Sequence, residues 1–191
     1  MGWIDRIPHS SSSGALFIGG LQALYQPNLA RAAGITHVLS VLDFDFHALQ
    51  SSSDFLKAQG YSHLVVQVED DPNENLLRHF ARMADFIEEG LEGGGGVFVH
   101  CAMGKSRSAA AVGAFLMRRE GLGREEALAR VCEGRPVCSP NPGFMEQLEV
   151  WGRMLREKDE GPREAIYRDW LRDRFRGFAH EWEARAEKAR L

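Results

Sequence analysis

The stretch that decides the fold reads Val97-Phe98-Val99-His100-Cys101-Ala102-Met103-Gly104-Lys105-Ser106-Arg107-Ser108. It begins as an apolar, β-branched run of the kind that forms a buried strand. It continues through a short loop into a helix-forming run that reaches Arg119. Backbone N–H groups in such a loop point inward, and the start of the helix adds a positive end. The stretch therefore predicts an anion-binding loop that begins at Cys101.

Two side chains of this loop suit phosphate chemistry. Five residues separate Cys101 from Arg107, whose planar guanidinium matches a tetrahedral oxyanion. The guanidinium and the helix start together favour a thiolate at Cys101. The alternative is a buried structural cysteine, since free cysteine is often buried. A nucleotide-binding P-loop is excluded, because that motif needs a glycine where Val99 stands.

Strands and helices alternate on both sides of this stretch. Strands are predicted over 3–7, 16–20, 36–42 and 62–68, and helices over 27–33, 53–59, 75–91, 106–120, 124–133 and 143–157. This order predicts an α/β fold with a central, mostly parallel, five-stranded sheet flanked by helices and an all-helical C-terminal part. Ligands bind at the C-terminal ends of the strands in such sheets, which is where the cysteine would lie.

Composition narrows the classes of protein that remain. The 191 residues are 44% hydrophobic and carry a net charge of −4, which argues against general nucleic-acid binding. No apolar run is long enough to span a membrane or to form a secretory signal, so we expect no membrane partner. Three cysteines without paired spacing indicate neither a disulfide framework nor a zinc site. We expect a cytoplasmic location, and also a nuclear one.

The loop resembles the H-C-x-x-G-x-x-R-S loop of the cysteine-dependent protein tyrosine phosphatases in their dual-specificity form. The resemblance extends over residues 14–157 and includes several further segments: Gly19, Gly34 to Leu39, Asp70 before Asn75-Leu76, Arg135-Pro136, Asn141-x-Gly143-Phe144 and Gln147-Leu148. It implies hydrolysis of phosphotyrosine and phosphoserine/threonine in phosphorylated proteins through a phosphocysteine intermediate. The implied nucleophile is Cys101, and the reaction requires no metal and no cofactor.

The resemblance also assigns roles to the residues of the loop. The phosphate-binding groups are the backbone N–H groups of Ala102, Met103, Gly104, Lys105, Ser106 and Arg107, together with the Arg107 guanidinium. Ser108 matches the hydroxyl that eases departure of the thiolate; alternatively, it is a helix-turn hydroxyl that bonds the backbone. His100 is expected to orient the loop by hydrogen bonds. Asn141 matches a residue that braces the loop; alternatively, it is a simple turn residue.

A general acid must stand opposite the thiolate to protonate the leaving group. Asp70 is the first choice, because it lies on a loop after a strand and its offset to Asn75-Leu76 matches that of the family's acid. Asp71 is the rival. Either could instead be a solvated loop carboxylate, and one could cap the helix that follows.

The C-terminal part adds a second feature. We expect a catalytic domain over 1–158, a boundary within 158–162, and a helical extension over 159–191 with helices at 163–176 and 178–190. Its apolar members are Ile166, Trp170, Phe175, Phe178 and Trp182. They either pack on the surface of this domain or dock a protein partner.

Residues 164–168 resemble the segment after the catalytic domain in an atypical subgroup that carries a C-terminal zinc-binding domain. That subgroup is linked to ribosome assembly through the zinc domain, whose cysteine cluster this sequence lacks. Two alternative functions follow: a phosphoprotein-binding or ribosome-assembly scaffold, and, from the basic Lys105, a phosphoinositide phosphatase. Cys138 could form a disulfide with Cys101 on oxidation or could be a buried thiol.

Overall fold

The computed structural model describes residues 3–10, 13–44, 56 and 60–188. Within them, five strands form one sheet in the order β1-β2-β5-β3-β4. Strands β2, β5, β3 and β4 are parallel, whereas β1 pairs antiparallel at the edge. The mostly parallel, five-stranded sheet is thus confirmed. The strands are β1 (Ile4–Ile7), β2 (Ala15–Gly20), β3 (Ile35–Leu42), β4 (Ser62–Gln67) and β5 (Gly96–Cys101).

Seven α-helices lie in the described part of the chain. They are α1 (Pro27–Ala32), α2 (Phe80–Glu92), α3 (Arg107–Glu120), α4 (Arg124–Gly134), α5 (Pro142–Arg156), α6 (Glu160–Asp173) and α7 (Ala179–Lys188). The predicted helix over 53–59 lies outside the described residues, apart from Leu56, which is buried. None of the described helices combines the length and the apolar character that crossing a bilayer would require.

The sheet has an apolar layer on each face. Leu39 and Val41 of β3 belong to the larger core, which α2, α3 and α5 cover. Val38 and Leu42 of the same strand belong to a smaller core on the opposite face, near α1. Every residue of β5 is buried, because β5 is a central strand covered on both sides. Cys101 therefore lies at the C-terminal end of the best-buried strand.

Several predicted element boundaries differ from the structure, and two of them lie close to the cysteine loop or the helix after Asp70. The helix expected from Asn75 begins as a short 3₁₀ turn (Leu77–His79) and becomes α2 only at Phe80. The N–H of Leu77 donates to the Gln147 side chain of α5 (2.8 Å), so a distant residue satisfies a donor at this end. The helix expected from Ser106 begins at Arg107, with Ser106 as the flanking cap residue.

The C-terminal helices pack on the rest of the chain. Helix α6 spans Glu160–Asp173, so Gly161 and Pro162 lie in its first turn, and the helix predicted over 163–176 begins and ends three residues too late. Proline is tolerated there because the first N–H groups of a helix have no partner within it. Both α6 and α7 contact α5. The division into a catalytic domain and an extension stays a prediction.

Candidate active site

The cysteine loop (residues 101–107) turns around the Cys101 sulfur at the end of β5. The N–H of Gly104 donates to Sγ (3.2 Å), and the Ser108 hydroxyl lies 3.3 Å from Sγ. Gly104 has φ +68°, and a Cβ at this position would lie 2.3 Å from the backbone carbon of Gly19. Only glycine fits both the backbone conformation and this close approach to β2.

The surroundings of Cys101 favour its thiolate. Burial alone raises the pKa of the thiol, but hydrogen bonds from Ser108 and the Lys105 backbone, with the positive charge of Arg107, outweigh burial. The net result is a pKa below the ordinary cysteine value. Cys138 shows the contrast, because burial raises its pKa to about 12. A lowered pKa is typical of a nucleophilic cysteine rather than an inert buried one.

Arg107 is a buried cation at the start of α3. Its Nη1 donates to the carbonyl of Val68, the residue after β4 (3.1 Å), and lies 3.7 Å from the Asp43 carboxylate. Its Nε is buried and has no hydrogen-bond partner among the described residues. Because a buried unpaired donor is costly, this N–H is suited to an oxygen of a bound anion.

The Asp70 loop (residues 69–75) faces the cysteine loop. Asp70 Oδ1 accepts hydrogen bonds from the Ser106 hydroxyl (2.6 Å) and the Asn141 amide (2.9 Å). Its Oδ2 lies 4.0 Å from Arg107 Nε. Asp71 instead accepts a hydrogen bond from Asn73 N (2.7 Å) within its own loop. Of the two carboxylates, Asp70 is the one that contacts the cysteine loop.

Asn141 and His100 support this arrangement from two sides. Asn141 caps α5 by accepting from Phe144 N (2.9 Å), and its backbone N–H donates to the Ser106 hydroxyl (3.0 Å). His100 is buried, and burial lowers its pKa to about 3, so it is neutral at physiological pH. Its Nε2 lies 2.6 Å from the Ser40 hydroxyl and its Nδ1 3.4 Å from the Cys101 carbonyl. A neutral imidazole in these contacts positions the start of the loop.

The family model for "Dual specificity phosphatase, catalytic domain" matches residues 16–154. The chain belongs to the dual specificity phosphatase family. It is 36% identical over 159 residues to dual specificity phosphatase 28 of Mus musculus, covering 83% of this chain and 93% of that protein. It is 35% identical over 156 residues to dual specificity protein phosphatase 1 of Arabidopsis thaliana, covering 82% of this chain and 74% of that protein.

Solved structures agree with the sequence relatives. Human DUSP28 superimposes with a TM-score of 0.71 at 32% identity, covering 82% of this chain and 97% of that chain. The Yvh1 phosphatase domain from Chaetomium thermophilum superimposes with a TM-score of 0.69 at 32% identity, covering 82% of this chain and 99% of that chain. The chain is thus a dual specificity protein phosphatase, and the expected fold, family and enzyme class are confirmed. Neither alternative function is favoured.

Two residues of this phosphatase escaped the sequence prediction. The Arg135 side chain is buried behind the cysteine loop, where Nε donates to the Gly104 carbonyl (2.8 Å) and Nη2 to the Met103 carbonyl (3.1 Å). Its Nη1 pairs with Asp5 of β1. The resemblance included Arg135-Pro136 but indicated no role. Asp43, near Arg107, follows the buried end of β3, and that position is the signal that could have identified it.

The other polar side chains of the phosphatase add two observations. The described residues contain no group of three or more His, Cys, Asp or Glu that could hold a metal ion. Cys101, Cys132 and Cys138 are all free thiols. The Cys138 thiol donates to the Gly104 carbonyl (3.8 Å), so it lies against the cysteine loop. Its disulfide with Cys101 on oxidation stays a prediction.

Proposed function

We propose that this phosphatase hydrolyses phosphotyrosine and phosphoserine/threonine in proteins through a phosphocysteine at Cys101. The observation that carries the proposal is the pairing of a stabilised thiolate with a buried Arg107 Nε that has no partner among the described residues. A phosphoryl group whose phosphorus faces Sγ would supply the oxygen that this N–H requires. Binding and attack would then use the same loop.

The first step forms an S–P bond and breaks the P–O bond of the substrate. The Cys101 thiolate attacks phosphorus while the Arg107 guanidinium and the backbone N–H groups of residues 102–107 hold the three equatorial oxygens. Protonated Asp70 gives its proton to the departing oxygen. The contact of Asp70 with Ser106 of the cysteine loop supports this role.

The second step returns the enzyme to its starting state. The Asp70 carboxylate takes a proton from water, the water oxygen attacks phosphorus, and the S–P bond breaks to release inorganic phosphate. The Ser108 hydroxyl, 3.3 Å from Sγ, donates a hydrogen bond to the departing thiolate. One carboxylic acid therefore serves both steps, and no metal takes part.

The test is hydrolysis of phosphotyrosine and phosphoserine peptides in the presence of a metal chelator. The native chain is expected to release phosphate from both peptides, and Cys101→Ser from neither. Cys101→Ser should still bind the peptides, because Arg107 and the loop N–H groups remain. Hydrolysis by Cys101→Ser at the native rate would overturn the proposal, as would dependence on an added metal.

The proposed substrates are phosphorylated proteins, and neither nucleic acid nor a membrane is proposed as a partner. The expected cytoplasmic and nuclear location stays a prediction, and fluorescence microscopy of the tagged chain tests it. The expected protein partner of the C-terminal aromatic residues also stays a prediction. Trp182 is buried, and Ile166 and Trp170 pack against the core. Phe178, which is 76% exposed, is the member of the set that best fits an external partner.

A further inference from the structure

The back of the Asp70 loop is bonded to the C-terminal extension. The Asn73 amide donates from Nδ2 to the Gly177 carbonyl (2.9 Å), and its Oδ1 accepts from Gly177 N (3.0 Å) and from Trp182 Nε1 (3.1 Å). Asn75 Nδ2 donates to the Tyr167 hydroxyl of α6 (2.8 Å). Two residues of one short loop thus bond to a segment that begins more than ninety positions later.

The segment that holds Asn73 is itself firmly packed. Trp182 is only 3% exposed, and its ring meets that of Phe175 edge to face at 4.9 Å. A Cβ at Gly177 would lie 2.6 Å from the Phe175 ring and 2.7 Å from the Glu181 carboxylate. The side chains around the connection between α6 and α7 are therefore closely packed where Gly177 meets Asn73.

The bonds of Asn73 reach Asp70 through the turn of the loop. The Asp71 carboxylate accepts from Asn73 N (2.7 Å), and the Asp71 carbonyl accepts from Glu74 N (3.0 Å), so hydrogen bonds within the turn connect Asn73 to the residue next to Asp70. The Asp70 side chain is itself 38% exposed. Its own hydrogen bonds to Ser106 and Asn141 therefore compete with water, whereas those of Asn73 lie against a buried tryptophan.

We propose that the C-terminal extension, through Gly177 and Trp182, is a positioning element that holds Asp70 over the cysteine loop by fixing Asn73. The inference rests on the proposed function, because it takes Asp70 as the general acid. Proton transfer needs the donor within hydrogen-bond reach of the departing oxygen, and small displacements reduce its rate steeply. The hydrogen bonds given above for Asn73 and Trp182 go to each other, to Gly177 and to Asp71, so the proposed effect on the reaction passes through Asp70.

The experiment compares kcat/KM for two substrates, because this ratio reports formation of the phosphocysteine. Phenyl phosphate has a poor leaving group that needs the acid, whereas 2,4-dinitrophenyl phosphate has a good one that leaves without it. Asn73→Ala should lower kcat/KM for phenyl phosphate about tenfold and for the dinitrophenyl ester by less than about twofold. Trp182→Phe, which removes one N–H and keeps an aromatic ring, should lower the first value by about threefold.

Two matched variants serve as controls. Trp170→Phe removes an indole N–H from the same extension, but that N–H bonds Glu146 of α5. Asn28→Ala removes an exposed amide from α1. Both are expected to match the native chain with either substrate. If Asn73→Ala or Trp182→Phe acts only by disturbing the structure, kcat/KM will fall by the same factor for both substrates. That result would overturn the inference.

Asp70→Asn in the same series separates this inference from the proposed function. A selective loss for phenyl phosphate in Asp70→Asn, with Asn73→Ala and Trp182→Phe behaving like their controls, overturns the positioning role alone. An equal effect of Asp70→Asn on both substrates overturns the acid assignment and with it the inference. Adding Asn73→Ala to Asp70→Asn should lower kcat/KM for phenyl phosphate no further than Asp70→Asn alone, because the acid is then already absent. If Asn73→Ala does not fold, Trp182→Phe still decides the outcome.

Discussion

The cysteine loop and the Asp70 loop face each other, yet they are held in place in different ways. Cys101, Gly104 and Arg107 lie on one continuous strand–loop–helix segment, whose backbone shapes most of the anion site. Asp70 instead depends on partners 36 and 71 residues away, and Asn73 on a partner 104 residues away. The position of the nucleophile is therefore set largely by residues near it in sequence. The position of the acid is set by contacts between segments that are distant in sequence.

The largest expected effect tests the local side of this comparison. Arg107→Lys keeps a positive charge but loses the planar fork, so kcat/KM for phosphotyrosine peptide should fall by about a thousandfold. Arg118→Lys is the matched control, since Arg118 lies on the same helix, α3, and pairs with Asp85 and Glu88 of α2. Retention of more than about a tenth of native activity by Arg107→Lys would show that charge alone suffices at this position.

The next effect tests the Asp70 loop. Asp70→Asn should lower kcat/KM for phenyl phosphate by about a hundredfold, because the leaving oxygen loses its proton donor. Asp71→Asn should change it by less than about threefold, because Asp71 bonds within its own turn. Steady-state kinetics of the two variants at one pH decide between them. A large loss confined to Asp71→Asn would reverse the assignment.

A smaller effect concerns the long-range support that the cysteine loop does have. Arg135→Met removes the buried ion pair with Asp5 and the hydrogen bond from Arg135 Nε to the Gly104 carbonyl. The free energy of unfolding should fall by about 3 kcal/mol. Arg130→Met, which removes partly exposed ion pairs of α4, should cost less than about 1 kcal/mol. Urea unfolding measures both free energies. Equal losses in the two variants would mean that the buried ion pair of Arg135 stabilises the fold no more than the partly exposed pairs of Arg130.

The smallest effect refines the electrostatics of the thiol. The pKa of Cys101 is held below its ordinary value, with the Ser108 hydroxyl among the causes. Ser108→Ala should raise the pKa, so the thiolate fraction at a given acidic pH falls and the reactive form appears only at higher pH. The pH dependence of alkylation by iodoacetamide measures this without interference from substrate titration. An alkylation curve that stays at the native pH, or shifts to lower pH, would contradict the account.

The sequence predicted the parts of the molecule that are local. The mostly parallel sheet and the place of Cys101 follow from apolar runs and turn residues. Contacts between distant segments left no such pattern. Arg135 and Asp5 are 130 residues apart, and Gln147 meets Leu77 across 70. For the same reason the start of α2 and the bonds of Asn73 could not be predicted.

The most direct test of the central claim is detection of the phosphocysteine itself. The native chain is mixed with an aryl phosphate in the presence of a chelator, quenched in acid during turnover, digested and analysed by mass spectrometry. The account predicts one added phosphoryl group on the peptide that contains Cys101, and its absence in Cys101→Ser. A phosphoryl group on any other residue, or full turnover without a phosphorylated peptide, would contradict it.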